Sequence, residues 1–119
     1  MTTLDVGREG EQLAAEFLRK KGYKILEYNW RFGKDEIDII AKDQDTLVIV
    51  EVKSRKASPY SDPLAAVNKA KQSFLIRATE AYIQRTNSQS ETRFDVMSII
   101  FTQNHPIIEH IIEAFHPSW

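Results

Sequence analysis

Apolar and small residues recur at Val6, Gly10, Leu13, Ala14, Phe17 and Leu18, a spacing that lines one face of a helix. Asp5 stands where an N-cap would, and Gly22 where the helix would end. Tyr23 to Trp30 alternates loosely and predicts a strand, with Arg31, Phe32, Gly33, Lys34 and Asp35 as a loop after it. Glu36 to Ala41 and Thr46 to Lys53 are rich in β-branched residues and flank Asp43-Gln44-Asp45, so they predict a β-hairpin. Ser54 to Asp62 is polar, basic and proline-containing, a loop composition. Asp62 and Pro63 suit the N-cap and first position of a second helix, striped by Val67, Ala70, Phe74, Leu75, Ala78 and Tyr82 and running to about Arg85. After a polar connection, Phe94 to Phe101 and Ile107 to Ala114 predict two more strands.

The order helix, three strands, helix, two strands predicts an α/β fold, a sheet of about five strands flanked by two long helices. A helical crossover makes the third and fourth strands parallel if they share the sheet, which is then mixed. With 119 residues, 42% of them hydrophobic, and no repeat or linker to divide it, the chain is expected to close one domain over residues 1–119.

Composition narrows the chemistry. With no cysteine there is neither a disulfide framework nor a Cys-ligated zinc site. The longest apolar runs, such as Leu47 to Val50, are too short to cross a membrane as a helix. Asp5, Glu9, Glu11 and Glu16 in the first twenty residues do not suit the apolar core of a secretory signal, so a cytoplasmic protein is expected. A formal net charge of -1 excludes a generically basic nucleic-acid binder and leaves only a local patch.

Such a patch has candidates. Strand alternation puts Glu36, Asp38 and Ile40 on one side of their strand, and Leu47, Ile49, Glu51 and Lys53 on one side of theirs. A two-residue turn at Gln44-Asp45 pairs Asp43 with Thr46, which sets Asp38 opposite Glu51 and Glu36 opposite Lys53. Opposed like charges destabilise a strand pair by ~0.2–1 kcal/mol, and more where water is excluded. A divalent cation would compensate. Ordinary surface ion pairs are the alternative, but Val48, Val50 and Val52 make the other face of the strand apolar too, and Ile37 and Ile39 point away from Ile40. Strands apolar on both faces lie inside a sheet, where charges need a reason. Lys71 falls between Val67, Phe74, Leu75 and Ala78, while Lys69 takes the opposite face; Lys71 either snorkels from the core rim or faces the acids. Glu9 and Glu11 lie at opposite margins of the first helix's stripe, and spacing leaves both open. His105, His110 and His116 are too scattered for a zinc cluster, and His110 reads as a satisfied sheet residue.

Five blocks in this order, Gly7-Arg8-Glu9-Gly10-Glu11, Glu36-Ile37-Asp38-Ile39-Ile40, Glu51-Val52-Lys53-Ser54-Arg55, Ala66-Val67 with Lys71, and Arg93-Phe94-Asp95-Val96, carry a resemblance over nearly the whole chain. It resembles the YraN family of bacterial proteins, which looks like a branch of the PD-(D/E)xK, restriction-endonuclease-like nucleases near the archaeal Holliday-junction resolvases. The resemblance implies Asp38 and Glu51 as metal-ligating acids, with the Val52 carbonyl as a further ligand. It implies Lys53 to position the attacking water or steady the phosphate charge, Glu11 as an accessory acid, and Lys71 as the helical basic residue facing the site. Asp35 replaces the glycine usual before Glu36, and the family's PD pair is Ile37-Asp38 here.

The residues themselves suit phosphodiester hydrolysis, which needs a hard cation on oxygen ligands and a positive charge nearby. Arg31, Lys34, Arg55 and Lys56, in loops adjoining the acids, would hold a phosphate backbone or simply face solvent. The expectation is an endonuclease dependent on Mg²⁺ or Mn²⁺, acting on DNA, branched or structured DNA included, with no membrane partner and with a homodimer left open. Its rivals are a nucleic-acid-binding module of the same fold without useful catalysis, and a protein-interaction domain.

Overall fold

The computed structural model describes residues 3–57 and 67–117. Helix α1 spans Thr3–Lys20. Asp5 is therefore not the N-cap: the helix starts two residues earlier, and Asp5 sits in its first turn, where a carboxylate meets the positive end of the helix dipole. Gly22 does end it. With φ at 96°, a left-handed conformation open to glycine, it lets Gly22 N–H bond Arg19 O at 2.9 Å and Tyr23 N–H bond Leu18 O at 3.0 Å, the Schellman closure.

Strand β1 (Lys24–Phe32), strand β2 (Asp35–Asp43) and strand β3 (Thr46–Lys56) follow, then helix α2 (Lys69–Thr86), strand β4 (Thr92–Phe101) and strand β5 (Ile107–Phe115). The strands lie side by side in chain order. All neighbours are antiparallel except β3 and β4, which run parallel, because α2 returns the chain to the same end of the sheet. No helix among the described residues is long and apolar enough to cross a membrane.

Element ends depart from the sequence expectation for identifiable reasons. The loop expected at 31–35 shrinks to Gly33 and Lys34: Gly33 takes φ 66°, so Arg31, Phe32 and Asp35 stay in the ladder as Arg31↔Glu36 and Phe32↔Asp35. The loop expected from Ser54 begins later, since pairing to β4 carries β3 on through Arg55↔Ile100 and Lys56↔Phe101. Arg55 and Lys56 are thus strand residues. Asp62 and Pro63 lie outside the described residues, and α2 starts instead at Lys69, capped by Asn68, whose Oδ1 accepts from Lys71 N–H at 2.9 Å.

The sheet separates two apolar layers. Val48 and Val50 pack with Ile39, Ala41, Met97 and Ile99 beneath Ala14, Ala15 and Leu18 of α1. Leu47 and Ile49 pack with Ile40 and Phe94 beneath Phe74, Leu75, Ala78 and Tyr82 of α2. Alternating residues of β3 feed opposite layers, which explains a strand apolar on both faces. At Gly10, α1 lies close against β3: a Cβ there would overlap Ser54 Oγ and come within 2.7 Å of Ser54 Cβ.

Candidate active site

The hairpin has the register expected from its two-residue turn, from Asp43↔Thr46 to Ile39↔Val50. The ladder then stops, one pair short of Asp38 and Glu51. In place of ladder pairing, Val52 N–H donates to Asp38 Oδ2 at 2.8 Å. On the other side of β2, Asn29 adopts φ 47° between the pairs Tyr28↔Ile39 and Trp30↔Ile37. Alternation is broken at Asp38, so Ile37 shares the α2 layer with Ile40 rather than pointing away from it. Glu36 does not meet Lys53 either. It pairs with Arg31 across β1, with 4.0 Å between Arg31 Nη1 and Glu36 Oε1.

This opening brings the Asp38 and Glu51 carboxyl groups into hydrogen-bond contact, with Glu51 itself buried. Burial foremost, then the hydrogen bond and charge of Glu51, push Asp38 up to about 8, while Val52 N–H and Lys71 pull the other way. At neutral pH the pair therefore keeps a proton between its two carboxyl groups. Lys71 Nζ lies 3.2 Å from Glu51 Oε2 and 5.2 Å from the centre of the Phe74 ring. Its stem occupies the apolar face of α2 and its charge reaches the acids, so of the two readings open to Lys71 the structure takes the second. Lys53 shares Glu51's face by alternation and makes no ion pair among the described residues.

The choice between Glu9 and Glu11 is decided by the α1 packing. Asn29 Nδ2 donates to Glu11 Oε1 at 2.7 Å; burial raises the Glu11 pKa against that hydrogen bond, and the charges of Asp38 and Glu36 add to the rise. Glu9 is exposed and lines a separate groove with Leu13, Phe101 and Pro106. Asn29 went unnoticed in the sequence because nothing local marks a strand residue with a left-handed backbone as a carboxylate's partner. Arg31 is engaged with Glu36, Lys34 lies exposed in the β1–β2 turn, and Lys56 projects to the opposite face from Arg55.

Among the described residues, no three of His, Cys, Asp and Glu form a metal-holding group. Two carboxylates with adjacent backbone nonetheless suit a magnesium-like ion, which keeps several waters and takes one or two carboxylates. The shared proton is what such an ion would replace.

A second charged cluster, on the α1 face, escaped the sequence reading. The Asp95 carboxylate is fully buried and accepts from Arg93 Nε and Nη2, both at 2.9 Å, from Glu113 N–H at 3.1 Å and from His110 Nε2 at 2.7 Å. Burial alone would raise its pKa; the bonds from His110, Arg93 and Glu113 hold it below the usual carboxylate value. Arg93 also reaches Asp43 at 3.2 Å and the Tyr23 hydroxyl at 2.6 Å. Lys21 Nζ can only donate, so His110 Nδ1 accepts from it at 2.8 Å. The available signal was an opposite-charge pair two apart on one face of an otherwise apolar strand. His110 is, as expected, a satisfied sheet residue.

Residues 10–99 match the model of a family described as uncharacterised protein family UPF0102. A UPF0102 protein of Flavobacterium psychrophilum is 44% identical over 94% of this chain and 94% of its own length. One from Chlorobium chlorochromatii is 44% identical over 96% and 93%, and one from Thermodesulfovibrio yellowstonii 44% over 97% and 99%.

Proposed function

The chain belongs to the uncharacterised protein family UPF0102, and we propose that it is a divalent-metal-dependent endonuclease hydrolysing DNA phosphodiester bonds, branched or structured DNA among its substrates. One observation carries this reading. A buried carboxyl group, Glu51, and a half-buried one, Asp38, are held in contact where the β2–β3 ladder opens, with a lysine from α2 beside them. Packing acids this way opposes folding, and a doubly charged cation is the ligand that relieves it. When bound, Mg²⁺ or Mn²⁺ polarises a phosphate and lowers the pKa of bound water. Asp38, Glu51 and the Val52 carbonyl would hold the ion. Lys53, on the same strand face as Glu51, steadies charge developing on the phosphate, and Lys71 holds the Glu51 carboxylate and adds positive charge toward the backbone. Glu11 is the accessory acid. The order of elements around a mixed five-stranded sheet supports a restriction-endonuclease-like core.

The test is cleavage of linear and branched DNA with Mg²⁺ or Mn²⁺ against chelator. The wild type should cut only with metal, and Asp38→Asn should not cut at all. Lys71→Ala should weaken DNA binding and shallow its salt dependence, whereas Lys69→Ala should do little; equal effects would contradict the direction assigned to Lys71. A binding module without catalysis is favoured by one observation, the lack of a third acid grouped with the pair among the described residues. Gel shifts in chelator without cleavage in metal would select it.

A further inference from the structure

Beyond the acids, the α2 face of the sheet carries polar groups that find no partner among the described residues. Arg55 Nε and Nη2 and Ser98 Oγ are shielded from solvent and make no hydrogen bond among the described residues. Lys53 makes no ion pair among the described residues. These groups are neighbours. The parallel ladder pairs Lys53 with Ser98 and Arg55 with Ile100, and alternation puts Glu51, Lys53 and Arg55 on one face of β3 at intervals of roughly 6–7 Å. Glu109, opposite Ser98 on β5, is the acid next along this row; it is exposed.

A guanidinium is rarely withdrawn from water without an acceptor, because each unpaired charged donor forfeits its hydration. Here two donor nitrogens of Arg55 are withdrawn, beside a hydroxyl in the same condition. An ammonium, a guanidinium fork and a hydroxyl together offer many donors and almost no acceptor, the complement of phosphate oxygens. The row begins at Glu51 and leads away from the paired acids along β3.

We infer that Arg55, Ser98 and Lys53 form a phosphate subsite that holds the phosphodiester next to the one lying at Asp38 and Glu51. The inference rests on the nuclease reading for its substrate, and on the unpaired donors for its location. Arg55 supplies the bidentate contact and Ser98 a single hydroxyl donor. Lys53 stands between the two phosphates. Arg55 is then a binding residue whose unpaired state in the free protein is completed by substrate.

The experiment uses the full chain in chelator, melted with inorganic phosphate and with chloride at matched ionic strength. Phosphate should raise the wild-type Tm. Arg55→Met should lose that rise and, lacking the unpaired charge, should melt no lower than wild type in chloride. Ser98→Ala should keep part of the rise, and Arg55→Lys, which keeps the charge but not the fork, should also keep only part. Binding of a DNA oligonucleotide should weaken about tenfold to a hundredfold in Arg55→Met. An undiminished phosphate rise in Arg55→Met overturns the subsite, as does full retention in both Ser98→Ala and Arg55→Lys. The two readings fail separately. Metal-dependent cleavage with unaltered KM and kcat in Arg55→Met would remove the subsite and leave the nuclease. An Arg55-dependent phosphate rise with no cleavage in any metal would remove the nuclease and leave the anion site.

Discussion

Asp38 is the residue whose chemistry is most altered by the fold. Its ordinary value of 3.8 rises to about 8 because burial and Glu51 both favour the protonated form. The folded state therefore binds this proton more tightly than the unfolded chain does, and its contribution to stability is fully present below about pH 4 and lost as pH rises through about 8. In chelator, Tm should fall between pH 5 and pH 9, and the fall should be much smaller in Asp38→Asn, whose amide has no proton to lose. Melting curves at the two pH values decide it; equal falls in both proteins would remove Asp38 as the source. Lys71 is among the influences lowering Asp38, so Lys71→Met should move the transition to higher pH.

At the scale of elements, two contacts fasten the layers. Gly10 lets α1 lie against β3 at Ser54. Alanine would gain up to about 1 kcal/mol of helix propensity, but its Cβ would meet the half-buried Ser54 of the strand, and overpacking of this kind costs typically 1–3 kcal/mol. Gly10→Ala should thus destabilise by about 1 kcal/mol, read as a lower urea midpoint, with Ser54→Gly recovering part of it. The second fastening is the Asp95 cluster, which joins β4 and β5 to the β2–β3 turn through Asp43 and to the α1–β1 junction through Lys21 and Tyr23. Removing one partner of a buried pair leaves the other charge unpaired, at about 3–5 kcal/mol. Arg93→Met should lower stability by that order. A loss below ~1 kcal/mol in chemical denaturation would mean that Asp43, Tyr23 and His110 hold without it.

For the whole molecule, metal binding and folding are coupled. An ion that binds only the folded state adds RT ln(1 + [L]/Kd), about 2.7 kcal/mol at a hundredfold excess over Kd, which for a domain of this size is several degrees of Tm. Mn²⁺ should raise the wild-type Tm, and more at pH 8 than at pH 6, since the ion displaces the proton shared by Asp38 and Glu51. Asp38→Asn should largely lose the increment. Equal metal-induced shifts in both proteins would show that Asp38 is not a ligand.

Periodicity and turn chemistry determined the element order, the hairpin register, the parallel β3–β4 pairing and the stripe that aims Lys71 at the sheet, because each depends on side-chain spacing along one or two segments. Asp38 and Glu51 were legible as neighbours for the same reason: a two-residue turn counts outward without error until the ladder ends. Where the ladder ends is a tertiary decision. Asp38 taking Val52 N–H, Asn29 turning to Glu11 and Glu36 turning to Arg31 all arise from three strands meeting a helix, and no local pattern encodes that meeting. The same holds for Arg55, read as a loop cation until pairing with β4 placed it on the face of Glu51, and for Asp95, whose cluster draws on four separate parts of the chain. Local spacing specifies which side a residue faces; only packing specifies what it meets there.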